Sequence, residues 1–457
     1  MSSLPSVRSL TLLLALVMLS LILTLPLASC RIRTPKDDSP VAWVFKAPRE
    51  IPWSGYGMAT TPVIKDGIAV YTGGYFWRNQ VYIFAVDLKT GKMLWKSEEP
   101  TEQVFIDGNR VIATSRDGVS KKIPGRERPA YVRAYDLKTG KRLWQMEAAT
   151  KMHPLQILST GKFIYCWVPE QDIFAIDPGS GEVAWHLDKR CKHPSVRESY
   201  CIGSGDRIFA AVPGAYLADI NGITGDVTEI PLTESGKDPL VSMARKDDML
   251  FLYSQSGVLI TISLEDMAVK HQNEAHKLTT PLVRSGDRLF FGFTAPSAKE
   301  NDINGLCIYD LKEEALIKMI DCPAPITGEP LVEGSTVYYC GGFGDGKLHA
   351  YDMKKDKLLF ETTTGPLLAG PVSGDGVLYV NGETGLTALS KRTGKIIFTV
   401  KAGQHKPEGR PVVWGDHVYV VGQDSNLYAI KAGRSGGMKA LEPEPGARDK
   451  SAYPGSN

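Results

Sequence analysis

Short apolar runs alternate with polar turns along nearly the whole chain, and the alternation repeats. VYIFAVDLKTGKMLW at 81–95 is followed by AYVRAYDLKTGKRLW at 130–144. Each copy has two halves of near-alternating apolar residues around a polar centre, which predicts a β-hairpin. In the first copy the centre runs from Asp87 to Lys92. Asp bonds back to the amides of such a turn, Thr does so more weakly, and Gly accepts the positive φ that a four- to five-residue hairpin loop needs. Weaker copies open at Asp177, Asn221, Ser263, Asp310, Asp352, Ser390 and Ile430, so nine copies lie 38 to 49 residues apart.

The segments between the copies repeat as well. Each has a polar or glycine turn and then an apolar run, as in DGIAVY at 66–71, GDRIF at 205–209 and GDHVY at 415–419. Several are preceded by proline and apolar residues, as in Pro62-Val63-Ile64. Four short strands per unit, at a period of 40 to 50 residues, predict an all-β propeller of nine four-stranded blades. The ninth unit has no convincing fourth strand, because 433–437 is too rich in glycine. Val41-Ala42-Trp43 repeats Val183-Ala184-Trp185 with no hairpin partner before it. The N-terminal strand is therefore expected to complete the last blade, closing the ring and removing exposed strand edges.

A chain of 457 residues would ordinarily suggest two or three domains, but one repeat running over 41–434 overrides that prior. Residues 1–29 differ in kind: Arg8 is the only charge before the apolar run TLLLALVMLSLILTLPL. Such a run is long enough to anchor in a bilayer. The sharper reading is a secretory signal, because Leu27-Ala28-Ser29-Cys30 resembles a bacterial lipobox, which would leave Cys30 lipidated. Residues 30–40 then form a polar tether, and Arg31 after the cysteine is similar to the sorting pattern of outer-membrane lipoproteins. The tail, 435–457, holds Pro, Gly and charge, and is expected to be disordered.

An apolar content of 43% suits a packed body, and a net charge of +2 gives no footprint for nucleic acid. Six cysteines follow Cys30, and an even count in an oxidising compartment allows disulfides. Cys307 and Cys322 flank the Asp310 hairpin almost symmetrically, which makes them a candidate bridge; buried free thiols are the alternative.

The unit A-x-D-x-x-T-G-x-x-x-W resembles the pyrroloquinoline-quinone-type propeller repeat. It is complete at Ala85, Asp87, Thr90, Gly91 and Trp95 and at Ala134, Asp136, Thr139, Gly140 and Trp144, and nearly so at Ala175, Asp177, Gly181 and Trp185. The resemblance implies that the small residue and the tryptophan dock neighbouring blades. Later units carry Phe360 and Phe398 instead, or lose the aromatic, as at His271 and Lys318. Two functional classes share this repeat: quinoprotein dehydrogenases with quinone and calcium at the axis, and non-enzymatic propellers such as the BamB lipoproteins of outer-membrane β-barrel assembly. The lipobox with a bare propeller is similar to the second class, although BamB-like rings have eight blades where nine units are counted here.

No calcium constellation, adjacent cysteine pair, Walker, Rossmann or Gly-x-Ser-x-Gly context is found, so no catalytic residue, cofactor or metal is assigned. The eight histidines, His153, His186, His193, His271, His276, His349, His405 and His417, are scattered. Function is sought instead in insertions, because loops on a rigid scaffold carry recognition. Three stand out. GGYFWRNQ at 73–80 offers Tyr75, Phe76, Trp77 and Arg78; SRDGVSKKIPGRERP at 115–129 offers Lys121, Lys122, Arg126 and Arg128; APSAKENDIN spans 295–304. The expected role is a lipid-anchored periplasmic scaffold for a protein partner, such as an outer-membrane β-barrel assembly protein. The alternatives are a quinone-dependent dehydrogenase, or a cell-wall-binding lipoprotein with Trp77 as a sugar platform.

Overall fold

The computed structural model describes residues 39–48, 61–75, 80–99, 101, 103–116, 130–148, 156–168, 172–188, 201–204, 206–212, 216–232, 240–246, 248–254, 257–274, 277–295, 303–367, 369–383, 385–401 and 407–433. Among them every helix-or-strand element is a strand, and the strands form nine antiparallel sheets in the order of the sequence repeats. Blade 1, for example, joins Val63–Lys65, Ile68–Tyr75, Gln80–Asp87 and Lys92–Lys96 in chain order. The first strands of successive blades touch one another, which puts them at the axis and the fourth strands at the rim. In blade 6 the first strand is broken into Lys277–Leu278 and Val283–Ser285, both paired with Arg288–Ala295.

Blade 9 is closed by the N-terminus, as the sequence predicts. Its fourth strand is Val41–Phe45, paired antiparallel with Leu427–Lys431. The core is correspondingly divided. Nine clusters of buried apolar side chains lie one at each blade–blade interface, and the one at the seam combines Phe45, Tyr71 and Phe84 with Tyr419 and Val421.

The repeated motif has a mechanical meaning. Asp87 Oδ1 accepts the Thr90 amide and hydroxyl, both at 2.7 Å, and Asp136 holds Thr139 in the same way at 2.8 and 2.7 Å. The loop closes when the Gly91 N–H donates to the Asp87 carbonyl at 2.8 Å. After the turn the fourth strand carries a bulge, so that Trp95 lies opposite Ala85, Trp144 opposite Ala134 and Trp185 opposite Ala175. Alanine leaves the ring room to swing toward the next blade. There Trp95 covers Gly140, Trp144 covers Gly181 and Trp185 covers Gly225, and a Cβ at Gly140 would stand 2.5 Å from the Trp95 ring. The indole N–H groups of Trp95, Trp144 and Trp185 donate to the Leu137, Pro178 and Gly222 carbonyls at 2.8 to 2.9 Å. At the seam Trp43 covers Gly91, so the closing joint has the same construction.

Where the tryptophan is lost, charge takes its place. Blade 4 has none, and there Arg207 Nη1 donates to the Leu264 carbonyl at 3.2 Å, the position in blade 5 equivalent to Leu137. Lys318, which stands where blade 6 lacks its tryptophan, meets Asp356 of the blade 7 turn at 2.9 Å. Blade 7 returns to an aromatic, with Phe360 over Gly394. In the three intervening turns the glycine position is Met267, Glu314 and Asp356, yet each keeps the same left-handed conformation, with φ of 51 to 54°.

The candidate bridge between Cys307 and Cys322 is corrected by the register. Cys307 lies opposite Met319, and Cys322 opposite Asn304. An offset of three residues separates the two by about 10 Å and turns them to opposite faces of the blade, beyond the reach of a disulfide. Cys307 packs between blades 5 and 6 and Cys322 between blades 6 and 7, and both are free.

Gly140→Ala is expected to cost about 2–5 kcal/mol, the left-handed penalty plus overpacking against Trp95. Gly67→Ala, at a similar φ of 74° with nothing near its missing Cβ, is expected to cost only about 1–2 kcal/mol, and urea unfolding of the pair reads the difference. Alkylation of the native, unreduced protein should leave Cys166, Cys307, Cys322 and Cys340 unmodified, and all four should react once it is unfolded without reductant. Finally, the Thr139 and Ser180 hydrogen bonds hold the Asp136 and Asp177 carboxyls below the ordinary range. A depressed folded-state pKa contributes stability that is complete above the unfolded value and is lost as pH falls through the folded one. Asp136→Asn should therefore flatten the acid limb of a stability–pH profile.

Candidate functional site: an insertion face with a buried Cys-His-Asp cluster

Antiparallel order sorts the loops into two faces. The turns between first and second strands and the Asp-Thr-Gly turns share one face; the loops joining second to third strands lie on the other. The three insertions all join second to third strands, in blades 1, 2 and 6, between Tyr75 and Gln80, Arg116 and Ala130, and Ala295 and Ile303. They therefore spring from one face, although in sequence the first and last are more than 200 residues apart. Phe76, Trp77, Arg78, Lys121, Lys122, Arg126 and Arg128 lie outside the described residues, as does Cys30; Tyr75 ends the second strand of blade 1. On the same face the blade 7 loop, 341–346, raises Phe343, which is 64% exposed.

Beneath that loop three metal-ligating side chains meet. Cys322 ends the fourth strand of blade 6, Asp345 stands in the loop, and His349 follows in the third strand of blade 7. Asp345 reaches inward because Gly341 has no side chain: a Cβ there would overlap its carboxylate. His349 Nε2 lies 2.7 Å from Asp345 Oδ2, and Cys322 Sγ lies 4.0 Å from each of those atoms. The His349 ring stacks on Tyr339 at 4.9 Å between centroids, and its Nδ1 faces Glu361 Oε2 at 3.9 Å. Lys347 pairs with Glu361 at 2.6 Å. Burial pushes the Cys322 thiol up to about 11, against the opposing effect of the Ala324 N–H that it accepts. The cluster is almost sealed, with His349 4% exposed.

Blade 9 supplies an internal control. Its equivalent loop places Asp424 four residues before Tyr428, as Asp345 precedes His349. Asp424 accepts the Tyr428 hydroxyl at 2.6 Å, the Asn426 amide side chain at 2.7 Å and the Asn426 N–H at 3.1 Å. Blade 9 thus uses an acid at this point as a loop clamp. In blade 7 that clamp has acquired an imidazole and a thiol.

On the opposite face a cleft of about 300 Å³ between blades 6 and 7 is lined by Asp287, Arg288, Asp310 and Lys312. Lys312 pairs with Asp287 at 2.8 Å and Arg288 with Asp310 at 3.7 Å, so its charges are matched internally.

The sequence profile of the family described as outer membrane protein assembly factor BamB matches residues 53–187 and 344–437, half of the chain. The chain belongs to the BamB family. The crystal structure of BamB from Moraxella catarrhalis is similar at 13% identity, covering 85% of this chain and 99% of that one, with a TM-score of 0.53. Sqt1 from Saccharomyces cerevisiae is similar at 10% identity over 83% and 97%, TM-score 0.53, and the computationally designed Ika8 protein at 11% over 72% and 95%, TM-score 0.50. At these identities the likeness is one of fold. No curated protein sequence matches the chain.

The BamB profile falls silent between 188 and 343, the stretch where the tryptophan–glycine joints give way to Arg207 and Lys318. The buried cluster straddles its edge, Cys322 outside and Asp345 and His349 inside. Sequence reasoning left His349 among scattered histidines and read Cys322 as half of a bridge. The available signal was Asp-x-x-x-His in a unit whose counterpart reads Asp-x-x-x-Tyr.

Proposed function

We propose that this BamB-family propeller is a lipid-anchored, non-catalytic scaffold in the periplasm, acting in outer-membrane protein assembly. Membership of the BamB family is the observation that carries the reading. The gathering of three insertions on one face adds a surface on which it can work. Acylation at Cys30 and the tether to Val41 would hold the ring near the membrane, since two or more acyl chains anchor stably where one does not. Tyr75 to Arg78 supply aromatic and arginine anchors, the residue types that dominate protein interfaces, and Lys121, Lys122, Arg126 and Arg128 supply a basic loop for an acidic partner. The rim is a second surface: the fourth strands of blades 1, 2, 6 and 7 expose Leu94, Leu143, Leu316 and Leu359 along an open edge, which suits strand addition from a β-barrel partner or its substrate.

The test is chemical crosslinking in intact envelopes, with Cys30→Ser and a Trp77→Ala/Arg78→Ala variant beside the native protein. Recovery of an outer-membrane β-barrel assembly protein, lost with Cys30→Ser and reduced at least several-fold with the loop variant, is expected. Recovery of cell-wall or redox partners alone, or dye reduction by the purified protein on addition of quinone and calcium, would overturn the reading.

A further inference from the structure

The geometry points to a divalent metal site of the zinc class at Cys322, Asp345 and His349, joining blade 6 to blade 7 beneath the insertion face. One thiol sulfur, one carboxylate oxygen and one imidazole nitrogen converge within 4.0 Å of one another, which is the ligand chemistry zinc takes in proteins. A tetrahedral zinc ion, with bonds of about 2.0 Å to nitrogen and oxygen and about 2.3 Å to sulfur, spaces its ligand atoms by about 3.3 to 3.6 Å. Cys322 would close on the other two by about half an ångström, and His349 and Asp345 would part by about 0.6 Å. Both movements are within side-chain adjustment.

The surroundings are arranged as a metal site requires. Glu361 Oε2 lies 3.9 Å from Nδ1, outside hydrogen-bond distance, and its negative charge on that side favours the ring hydrogen on Nδ1 with the Nε2 lone pair turned toward the ion. Ala324 donates its N–H to the sulfur, and Gly341 leaves the space in which the carboxylate stands. A zinc ion bound by one thiolate, one carboxylate and a neutral imidazole is electrically neutral, which suits a sealed cluster. One proton, that of the Cys322 thiol, is released for each ion bound.

Blade 9 shows what the fold alone requires. Its Asp424 is satisfied by a hydroxyl and amides, with no sulfur and no imidazole. The metal-ligating pair therefore goes beyond the loop clamp. It also falls at an interface where the rim joint is the ion pair of Lys318 with Asp356 in place of an indole on a glycine. The ion would tie together the opposite face of that same interface.

The test uses the full chain, reduced and stripped with chelator, and titrated with Co²⁺ and then Zn²⁺. Expected are one equivalent of Co²⁺ with sulfur-to-cobalt charge transfer and tetrahedral d–d bands, bleached by Zn²⁺, and a Tm raised by Zn²⁺. Cys322→Ser and His349→Tyr should lose both signals. His349→Tyr rebuilds the pair found in blade 9 and should fold, as circular dichroism will show, so its loss of signal reports ligation. A wild-type protein without charge transfer, or bands and Tm shift unchanged in His349→Tyr, would overturn the proposal.

Discussion

Five of the ring's nine joints rest on one contact, the flat face of an outer-strand aromatic laid on the glycine of the next blade's turn. A propeller has no single core; each blade must be fixed to two neighbours, and a loss at any interface opens the whole. The contact fixes spacing through the glycine, which admits the ring only because it lacks a Cβ, and fixes orientation through the indole N–H, which finds a carbonyl beyond the turn. Alanine opposite the bulge completes the arrangement. Each eleven-residue unit thus serves two joints, its alanine and aromatic the one with the next blade and its glycine the one with the blade before.

This explains which parts of the molecule were legible in the sequence. Blade number, strand order and the seam follow from the repeat, because each hairpin is specified locally by Asp, Thr and Gly and each joint by residues at fixed offsets. Register within a hairpin is less visible: Asp310 pairs with Ala315, so Cys307 lies three residues before that pair and Cys322 seven after it, and their apparent symmetry around Asp310 misleads. The cluster under the insertion face was hidden for another reason. Cys322 comes from one repeat and Asp345 and His349 from the next, and only the docking of two blades brings them together. Polar joints were equally obscure, since Arg207 sits in the second strand and not at the position of the tryptophan it replaces.

The division between regular and irregular parts follows chain position. Blades 1 to 3, blade 7 and the seam use the aromatic joint, whereas blades 4 and 6 reach across with a guanidinium and an ammonium group. Electrostatic contacts at partly exposed positions are weaker and more sensitive to salt than buried aromatic ones. The long insertions of blades 1, 2 and 6 stand on both kinds of support.

Closure by Val41–Phe45 also sets an order of events. The ring's first strand to emerge from the ribosome must wait for its partner, Leu427–Lys431, until the other eight blades have been made. Until then blade 9 lacks a side and the nascent ring is an open arc with a bare edge. Any chain that ends early leaves the arc permanently unlatched, and an upstream tether would pull on the latch itself.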